Sequence, residues 1–191
     1  MADVVWHQHA PREERWAAIG SPGGATVWLT GLSASGKSTV AVEVERRLLG
    51  IGRPCYLLDG DNLRHGLNAD LGFDRVSREE NVRRVGEVAR LFADAGLVAL
   101  VPVIAPYAAG RAAVRAAHEA AGLRLLEVHV ATTLAECERR DPKGLYARAR
   151  SGLLTGMTGV DDPYERPEAP DLRLTGGEPV KEAAAAVIGL L

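Results

Sequence analysis

The sequence predicts an α/β fold in which a mostly parallel central sheet is flanked by helices. Short, apolar, β-prone segments alternate along the chain with longer segments whose apolar residues recur at helical spacing. Strands that alternate with helices are joined by right-handed crossovers, which place helices on both faces of a parallel sheet. The chain has 191 residues, of which 47% are hydrophobic and 25% charged. This length and this composition are typical of one globular domain.

Composition and charge exclude several classes of protein. Lys and Arg number 23 against 25 Asp and Glu, and the net charge of −2 gives no field that would attract a nucleic-acid or membrane partner. The longest apolar stretch, residues 97–109, contains two prolines and is shorter than the ~20 residues that cross a bilayer. Acidic residues precede the first apolar run, which argues against a signal peptide. Cys55 and Cys137 cannot form a disulfide framework or a zinc site, and we expect a cytoplasmic protein.

The predicted fold begins with two strands and the helix between them. Residues Thr26–Thr30 are few, apolar and β-prone, as in a buried strand. Apolar residues then recur every four positions over 37–49, which predicts a helix that ends at Gly50. Pro54–Leu58 is the second predicted strand, and the Asp-Gly-Asp sequence at 59–61 stops it.

A long helix and a third strand are predicted next. Ser77 and Glu80 have the spacing of a capping box, in which each side chain accepts a hydrogen bond from a free backbone N–H at the start of a helix. Apolar residues follow at helical spacing, and Gly96 is expected to end this helix. Leu97–Val103 is the third predicted strand, which an internal proline weakens.

The second half of the chain continues the alternation. The remaining predicted elements are a helix over 109–121 that ends at Gly122, a strand over Leu125–Val130, helices over Leu134–Arg140 and Lys143–Arg150, an edge strand over Leu172–Leu174, and a closing helix over Pro179–Leu190. Proline suits the first position of the last helix because that position donates no intrahelical hydrogen bond. Ligands of such sheets bind beyond the carboxyl ends of the strands, so the residues that follow the strands are candidates for a functional site.

The strongest motif is GLSASGKST at 31–39, which fits the P-loop pattern G-x-x-x-x-G-K-[ST] between a predicted strand and a predicted helix. In such a loop the backbone N–H groups and the positive end of the helix hold phosphates. We predict that Lys37 bridges the β- and γ-phosphates of ATP or GTP and that Ser38 holds Mg²⁺. The predicted phosphate-binding residues are Gly31, Ser33, Ala34, Ser35, Gly36, Lys37, Ser38 and Thr39.

The P-loop alone does not identify the phosphate acceptor, because switch proteins, motors and small-molecule kinases all contain one. The sequence has no N-K-x-D motif of the kind that switch GTPases use to bind the base. Its length and its compact strand–helix alternation favour a small kinase. We therefore predict an N-terminal segment over 1–24 and a single P-loop kinase domain over 25–191, with a lid around 140–160.

A second group of candidate residues follows the second predicted strand. Asp59 and Asp61 leave this strand beside the P-loop, and in an extended chain they would lie on the same side. They could hold the water shell of the metal ion or accept a proton from the acceptor hydroxyl. The alternative for Asp59 is that it caps a helix.

Four further residues suit an anionic substrate that carries a base. Arg64, Arg78 and Asn81 offer hydrogen-bond donors, and Arg78 and Asn81 share one helix face. Phe73 could stack on a base. The alternatives are that the arginines lie on a solvated face and that Phe73 belongs to the core.

These segments together resemble the adenylylsulfate kinases, which use ATP to phosphorylate the 3′-hydroxyl of adenosine 5′-phosphosulfate (APS). The resemblance covers nearly the whole chain, and the combination of DGDN-R-HGLN with DPKGLY is specific to that family among P-loop kinases. The similar segments are VVWHQHAPREER at 4–15, the P-loop at 31–39, LDGDNLRHGLNADLGF at 58–73, REENVRRVGEVARLFADAG at 78–96, PY at 106–107, RDPKGLYARAR at 140–150 and TGVDDPYERPEAPDL at 158–172.

The resemblance implies a role for each matching residue. Asp61 matches the base that acts on the 3′-hydroxyl, and Arg140 matches a lid residue that closes over ATP. The residues that match APS-binding positions are Asp59, Arg64, Phe73, Arg78, Asn81, Ile104, Lys143 and Met157. The resemblance also implies Mg²⁺ as cofactor, with Asp59 acting on it through a water molecule, together with a homodimer and a functional association with ATP sulfurylase.

Two departures from the family pattern bear most on function. Ala105 stands where the family usually has serine, which removes any route through a phosphoserine at this position and leaves direct transfer from ATP possible. Met157 stands where an aromatic residue is expected against the adenine of APS, although a thioether also packs favourably against a ring. Two alternatives therefore stay open: a related kinase with another acceptor, and a non-catalytic regulatory homologue.

Overall fold

The computed structural model describes Val5, His7 and residues 9–191. Part of the predicted N-terminal segment, residues 1–24, therefore lies outside the described residues. The same holds for part of residues 4–15, which resemble the adenylylsulfate kinases. The described residues form five strands: β1 (Ala25–Thr30), β2 (Cys55–Leu57), β3 (Val98–Pro102), β4 (Arg124–Val130) and β5 (Leu172–Leu174). They form one parallel sheet in the order β2-β3-β1-β4-β5, which confirms the predicted α/β class.

The described helices connect and cover these strands. They are α1 (Arg12–Ala18), α2 (Lys37–Gly50), α3 (Gly60–Leu63), α4 (Arg75–Asp94), α5 (Ala108–Ala120), α6 (Leu134–Arg140), α7 (Leu145–Arg150) and α8 (Val180–Ile188). None of the described helices is both long and apolar enough to cross a membrane.

The hydrophobic core has two layers, one on each face of the sheet. All six residues of β1 are buried, as expected for the central strand of a parallel sheet that is covered on both sides. Val27 and Leu29 pack with apolar residues of α2 and α8 on one face. Trp28 points to the other face, where it packs with residues of α4 and α5. Successive side chains of a strand point to opposite faces of the sheet, so the side chains of β1 are divided between the two layers.

The start of α4 differs from the prediction. The helix begins at Arg75, and its cap is Asp74, whose carboxylate accepts hydrogen bonds from Ser77 N at 3.0 Å and Ser77 Oγ at 2.6 Å. Aspartate is a strong N-cap residue, and it stands three positions before the serine. Ser77 therefore lies inside the first turn, and Glu80 forms ion pairs with Arg83 and Arg84 instead of closing a capping box.

The short helices α1 and α3 were not predicted, and α3 changes the path of the chain after β2. Asp59 caps α3, since its Oδ1 accepts hydrogen bonds from the backbone N–H groups of Asp61 at 2.9 Å and Asn62 at 3.4 Å. The expectation that Asp59 and Asp61 share one side of an extended chain is therefore wrong. Asp61 lies in the first turn of a helix, and the alternative that Asp59 is a helix cap is confirmed.

The other unpredicted helix, α1, packs against the end of α4. Arg12 and Arg15 form ion pairs with Asp94, and Trp16 Nε1 donates a hydrogen bond to the Asp94 carbonyl at 2.9 Å. The Arg12 guanidinium also donates to the carbonyl of Ala121 at 2.8 Å, just beyond α5. These contacts tie the described part of the N-terminal segment to the sheet-covering helices.

The contact between α4 and α5 requires a glycine, which gives a test of the fold. A Cβ at Gly86 would lie 2.6 Å from Cγ2 of Val114, so we expect Gly86→Ala to destabilise the protein by about 1–3 kcal/mol. Gly110 on α5 is the matched control, because a Cβ there would lie 3.4 Å from Val82 Cγ1. Gly110→Ala should be neutral or stabilise the helix by up to ~1 kcal/mol. Chemical denaturation of both variants measures the difference, and equal stabilities would contradict the packing argument.

A buried histidine predicts how stability depends on pH. His129 on β4 is buried beside Tyr164, and burial together with the positive charges of Arg173, Arg111 and Arg166 lowers its pKa from 6.5 to about 4. The unfolded chain therefore binds a proton at a higher pH than the folded chain does. The stability contributed by neutral His129 is present above pH 6.5 and is lost as the pH falls from 6.5 towards 4, by about 2 kcal/mol between pH 7 and pH 5.

Urea denaturation at pH 7 and pH 5 tests this linkage. His129→Gln has no titrating group at the position and should lose less stability than the wild type between the two pH values. His65→Gln is the control, because His65 is exposed. A His129→Gln variant with the full wild-type loss would show that the acid sensitivity arises elsewhere.

Candidate active site

The P-loop follows β1, and its last three residues form the first turn of α2. Gly31 and Gly36 have φ angles of +152° and +104°, and Ala34 has a φ of +60°. A Cβ at Gly31 would lie 2.5 Å from the carbonyl oxygen of Val130 on the neighbouring strand. Only glycine fits this close approach, and the left-handed turn at Gly36 leads the chain directly into the positive N-terminus of α2.

Lys37 is buried within this loop. Its Nζ donates hydrogen bonds to the carbonyl oxygens of Gly31 at 3.0 Å and Leu32 at 2.7 Å. Burial lowers the pKa of Lys37 to about 8, against the attraction of nearby Cys137, Asp61 and Asp59. A phosphate beside the ammonium group would favour its charged form.

Ser38 and Asp59 form a pair that suits a divalent cation. The Ser38 Oγ donates a hydrogen bond to Asp59 Oδ2 at 2.7 Å, and both residues face the cavity described below. Within the described residues no three His, Cys, Asp or Glu side chains are grouped as a metal site. A hydroxyl and one carboxylate fit Mg²⁺, because this ion usually binds one or two protein oxygens and completes its shell with phosphates and water.

A cavity of about 610 Å³ opens at the carboxyl ends of β1, β2 and β3. This is the edge where ligands bind in open parallel sheets. The predicted site residues that line it are Ser33, Ala34, Gly36, Lys37, Ser38, Thr39, Asp59, Asp61, Arg64, Phe73, Arg78, Asn81, Ile104, Arg140 and Lys143. Gly31, Ser35 and Met157 are also described, but they do not line it.

The segment after α6 lies across this cavity. Lys143 Nζ forms an ion pair with Asp61 Oδ2, which joins this segment to the wall beyond β2. Tyr146 on α7 donates a hydrogen bond from its hydroxyl to the Ser33 carbonyl at 3.1 Å. The segment predicted as a lid therefore contacts both the P-loop and the opposite wall. The helix α7 begins at Leu145 and not at Lys143, because Gly144 has a φ of +64°.

Met157 lies in the packing below this segment. It is buried in a cluster with Cys137 and Tyr146, against which Leu32 and Leu134 pack. Met157 does not line the cavity, and its contact with a substrate adenine stays a prediction. Its unbranched side chain fills the space where apolar groups of the P-loop and of α6 meet.

The candidate substrate-binding arginines have partners within the protein. Arg64 lies 4.2 Å from the centre of the exposed Phe73 ring, as in a cation–π contact. Arg78 forms an ion pair with Asp162 at 2.9 Å and also donates hydrogen bonds to Thr158 Oγ1 and to the Gly156 carbonyl.

Sequence reasoning missed two residues that contribute to this arrangement. Asp162 accepts hydrogen bonds from Arg78 at 2.9 Å and from the hydroxyl of Tyr107 at 3.2 Å. In the sequence, Asp162 lies 84 positions from Arg78 and 55 positions from Tyr107, and no local pattern links residues so far apart. The similarity of PY at 106–107 and TGVDDPYERPEAPDL at 158–172 to one family is the signal that could have brought both to attention.

The match to known proteins covers most of the chain. Residues 23–175 match the family model of adenylylsulphate kinase. The chain is 52% identical to an adenylyl-sulfate kinase of Citrobacter koseri over 99% of this chain and 93% of that protein. It is 58% identical to the bifunctional enzyme CysN/CysC of Mycobacterium tuberculosis over 89% of this chain, and the match spans only 28% of that longer protein.

A solved structure gives the same result. The structure of the Mycobacterium tuberculosis APS kinase CysC in complex with AMPPNP and APS superposes with a TM-score of 0.86 at 58% identity. The alignment covers 88% of this chain and 98% of that one. Because the family model and these relatives match nearly the whole chain, it belongs to the adenylylsulphate kinase family.

Proposed function

We propose that this protein transfers the γ-phosphoryl group of ATP to the 3′-hydroxyl of APS and so forms 3′-phosphoadenosine 5′-phosphosulfate. The observation that carries the proposal is the placement of Asp61 in the same cavity as the P-loop Lys37. The two side chains are close enough for the charge of Asp61 to favour the charged form of Lys37. The 58% identity to a kinase whose structure holds AMPPNP and APS supports the choice of substrates.

The P-loop would bind the triphosphate. The N–H groups between Gly31 and Lys37 and the N-terminus of α2 offer donors to the β- and γ-phosphates. Lys37 would leave its carbonyl partners to neutralise charge on the transferred group, and Arg140 would contact ATP from the lid. Phosphoryl transfer depends chiefly on such positioning and charge neutralisation. When bound, Mg²⁺ would add to the neutralisation, held by Ser38 and by Asp59 through water.

Asp61 would act as the general base. Its carboxylate is exposed to the cavity and is paired with Lys143 on the lid segment. When APS enters, Lys143 would turn towards the substrate and free the carboxylate to accept the proton of the 3′-hydroxyl. Closure of the lid would then exclude water that would otherwise hydrolyse ATP.

The anionic end of APS would bind on the wall formed by α4 and the segment before it. Arg64, Arg78 and Asn81 supply donors for the phosphosulfate and the ribose, and Phe73 stacks on the adenine. Ile104 contributes an apolar contact at the end of β3. Residues 25–191 would act as one kinase domain with residues 140–160 as its lid.

The family resemblance supports further parts of the proposal. We include a homodimer, a cytoplasmic location and a functional association with ATP sulfurylase, the enzyme class that supplies APS. That some relatives are bifunctional proteins supports such an association.

A comparison of acceptors tests the proposed reaction. With ATP and Mg²⁺, the protein should phosphorylate APS at a rate at least a hundredfold above those for AMP, shikimate and gluconate. Product formation is followed by coupling ADP release to NADH oxidation and by identifying the phosphorylated product. A faster rate with one of the other acceptors would identify a different kinase, and no turnover with any of them would favour a regulatory homologue.

The role of Asp61 is tested by a pair of isosteric variants. Asp61→Asn keeps the shape of the side chain but removes its basicity, so we expect kcat to fall by about 10²–10⁴. The affinity for Mg·ATP should change little. Asp59→Asn is the matched control: its amide oxygen can still cap α3, but it removes the carboxylate oxygen that accepts from Ser38, and it should weaken Mg·ATP binding. Weaker Mg·ATP binding in Asp61→Asn with unchanged kcat would assign Asp61 to the metal instead.

A further inference from the structure

Asn68 is a fully buried polar residue that contacts the candidate substrate site only indirectly. It is 0% exposed and lies in the segment between α3 and α4. Its Nδ2 donates a hydrogen bond to Oδ1 of Asn81 at 3.0 Å. Its own Oδ1 has no hydrogen-bond partner. Asn68 does not line the cavity, whereas Asn81 does.

This hydrogen bond determines which end of the Asn81 amide faces the cavity. A side-chain amide has an acceptor oxygen on one side and an NH₂ donor on the other. The oxygen of Asn81 is taken by Asn68, and within the described residues the NH₂ of Asn81 has no hydrogen-bond partner. Asn81 therefore presents a donor to the cavity.

The opposite orientation is less favourable. If both amides were reversed, Asn81 would donate to Asn68, and the buried NH₂ group of Asn68 would be left without an acceptor. Unpaired buried donors are rarer in proteins than unpaired buried acceptors, because a carbonyl oxygen tolerates incomplete bonding better. The structure leaves only the acceptor of Asn68 unpaired, which is the less costly arrangement.

The segment that carries Asn68 is held firmly against α4. The backbone N–H of Asn68 donates to the Leu63 carbonyl at 2.9 Å. Arg84 on α4 donates to the Leu67 carbonyl at 3.1 Å and forms an ion pair with Asp70 at 2.7 Å. These contacts lie on both sides of Asn68 in the sequence, so its side chain has a fixed position relative to Asn81.

We propose that Asn68 is a positioning residue for substrate binding: it orients Asn81 so that this wall of the cavity offers donors alone. Arg64 and Arg78 line the same wall and carry only donors as well. An anionic substrate needs such a wall, since a carbonyl oxygen turned towards it would repel its charge. The inference rests on the proposed function, in which this wall binds the phosphosulfate and the ribose of APS.

Asn68→Leu tests the proposal, because leucine fills a similar volume but offers no donor. The Asn81 amide should then lose its preferred orientation, and the KM for APS should rise about fivefold to twentyfold. The KM for ATP and kcat should stay within twofold of the wild type. Val85→Ala is the control for lost stability. Val85 is buried on α4, the helix that carries Asn81, and does not line the cavity. It should lower the melting temperature without changing the KM for APS.

A double-mutant cycle separates positioning from general damage. In an Asn81→Ala background, Asn68→Leu should leave the KM for APS unchanged, because the group that it orients is absent. An equal rise of KM in both backgrounds, or no rise in the wild-type background, would overturn the proposal. If Asn68→Leu melts below the assay temperature, Asn68→Ala takes its place in the same cycle.

Turnover of APS by the wild-type protein distinguishes a failure of this proposal from a failure of the proposed function. Absence of turnover with APS in the wild type would overturn the function itself. Turnover by the wild type, together with independent effects of the two asparagines, would overturn only the positioning role of Asn68.

Discussion

The close approach of the P-loop to β4 is the constraint on which the site depends. Gly31 lies so near the Val130 carbonyl that no side chain fits, and this contact fixes the direction in which the chain leaves β1. The loop then closes over Lys37, and two backbone carbonyl oxygens take the place of water around its ammonium group. The same turn brings Ser38 within 2.7 Å of Asp59, at the end of a strand two places away in the sheet. The two layers of the core keep these strand ends in register.

The cationic groups of the site are all paired with oxygen atoms of the protein. Lys37, Lys143 and Arg78 each have protein oxygens as partners, namely carbonyls, Asp61 and Asp162 respectively. Lys37 and Arg78 are largely buried, and a buried charge without a partner would destabilise the fold, so their contacts make an anion site compatible with folding. Binding of anionic nucleotides would then be an exchange of partners. Asp61 lies across the cavity from the lid segment that carries Lys143, so the exchange at this pair would also move the lid segment.

The sequence predicted what is local and repetitive. Buried parallel strands are short continuous apolar runs, and each predicted strand agrees with the structure to within one residue at either end. The P-loop spacing located the turn and the start of α2 because both depend on glycines and on a helix terminus that are adjacent in the chain. The grouping of residues at the carboxyl ends of the strands followed from the fold class alone.

Features that depend on competing or distant contacts were not predicted correctly. Asp74 and Ser77 both belong to residue types that cap helices, and the sequence pattern favoured the wrong one. Asp59 begins a helix of four residues, which is too short to show periodicity. The burial of Met157 depends on Cys137 and Tyr146, and the pairing of Asn68 with Asn81 spans a loop. None of these contacts leaves a periodic signal in the sequence.

The absence of a hydroxyl at position 105 limits the chemistry in a way that the structure explains. Ala105 is buried with a φ of +43°, a conformation that costs an L-residue roughly 1–2 kcal/mol. The Arg111 guanidinium holds this turn by donating to the Ala105 carbonyl at 2.7 Å, and Glu165 N donates to the Pro106 carbonyl at 2.8 Å. The backbone shape at the end of β3 is thus maintained by its own contacts and needs no serine. A methyl group cannot carry a phosphoryl group, so no phosphoenzyme forms at position 105. The proposed reaction is a direct transfer from ATP to the acceptor, in which Asp61 would accept the proton in the same cavity.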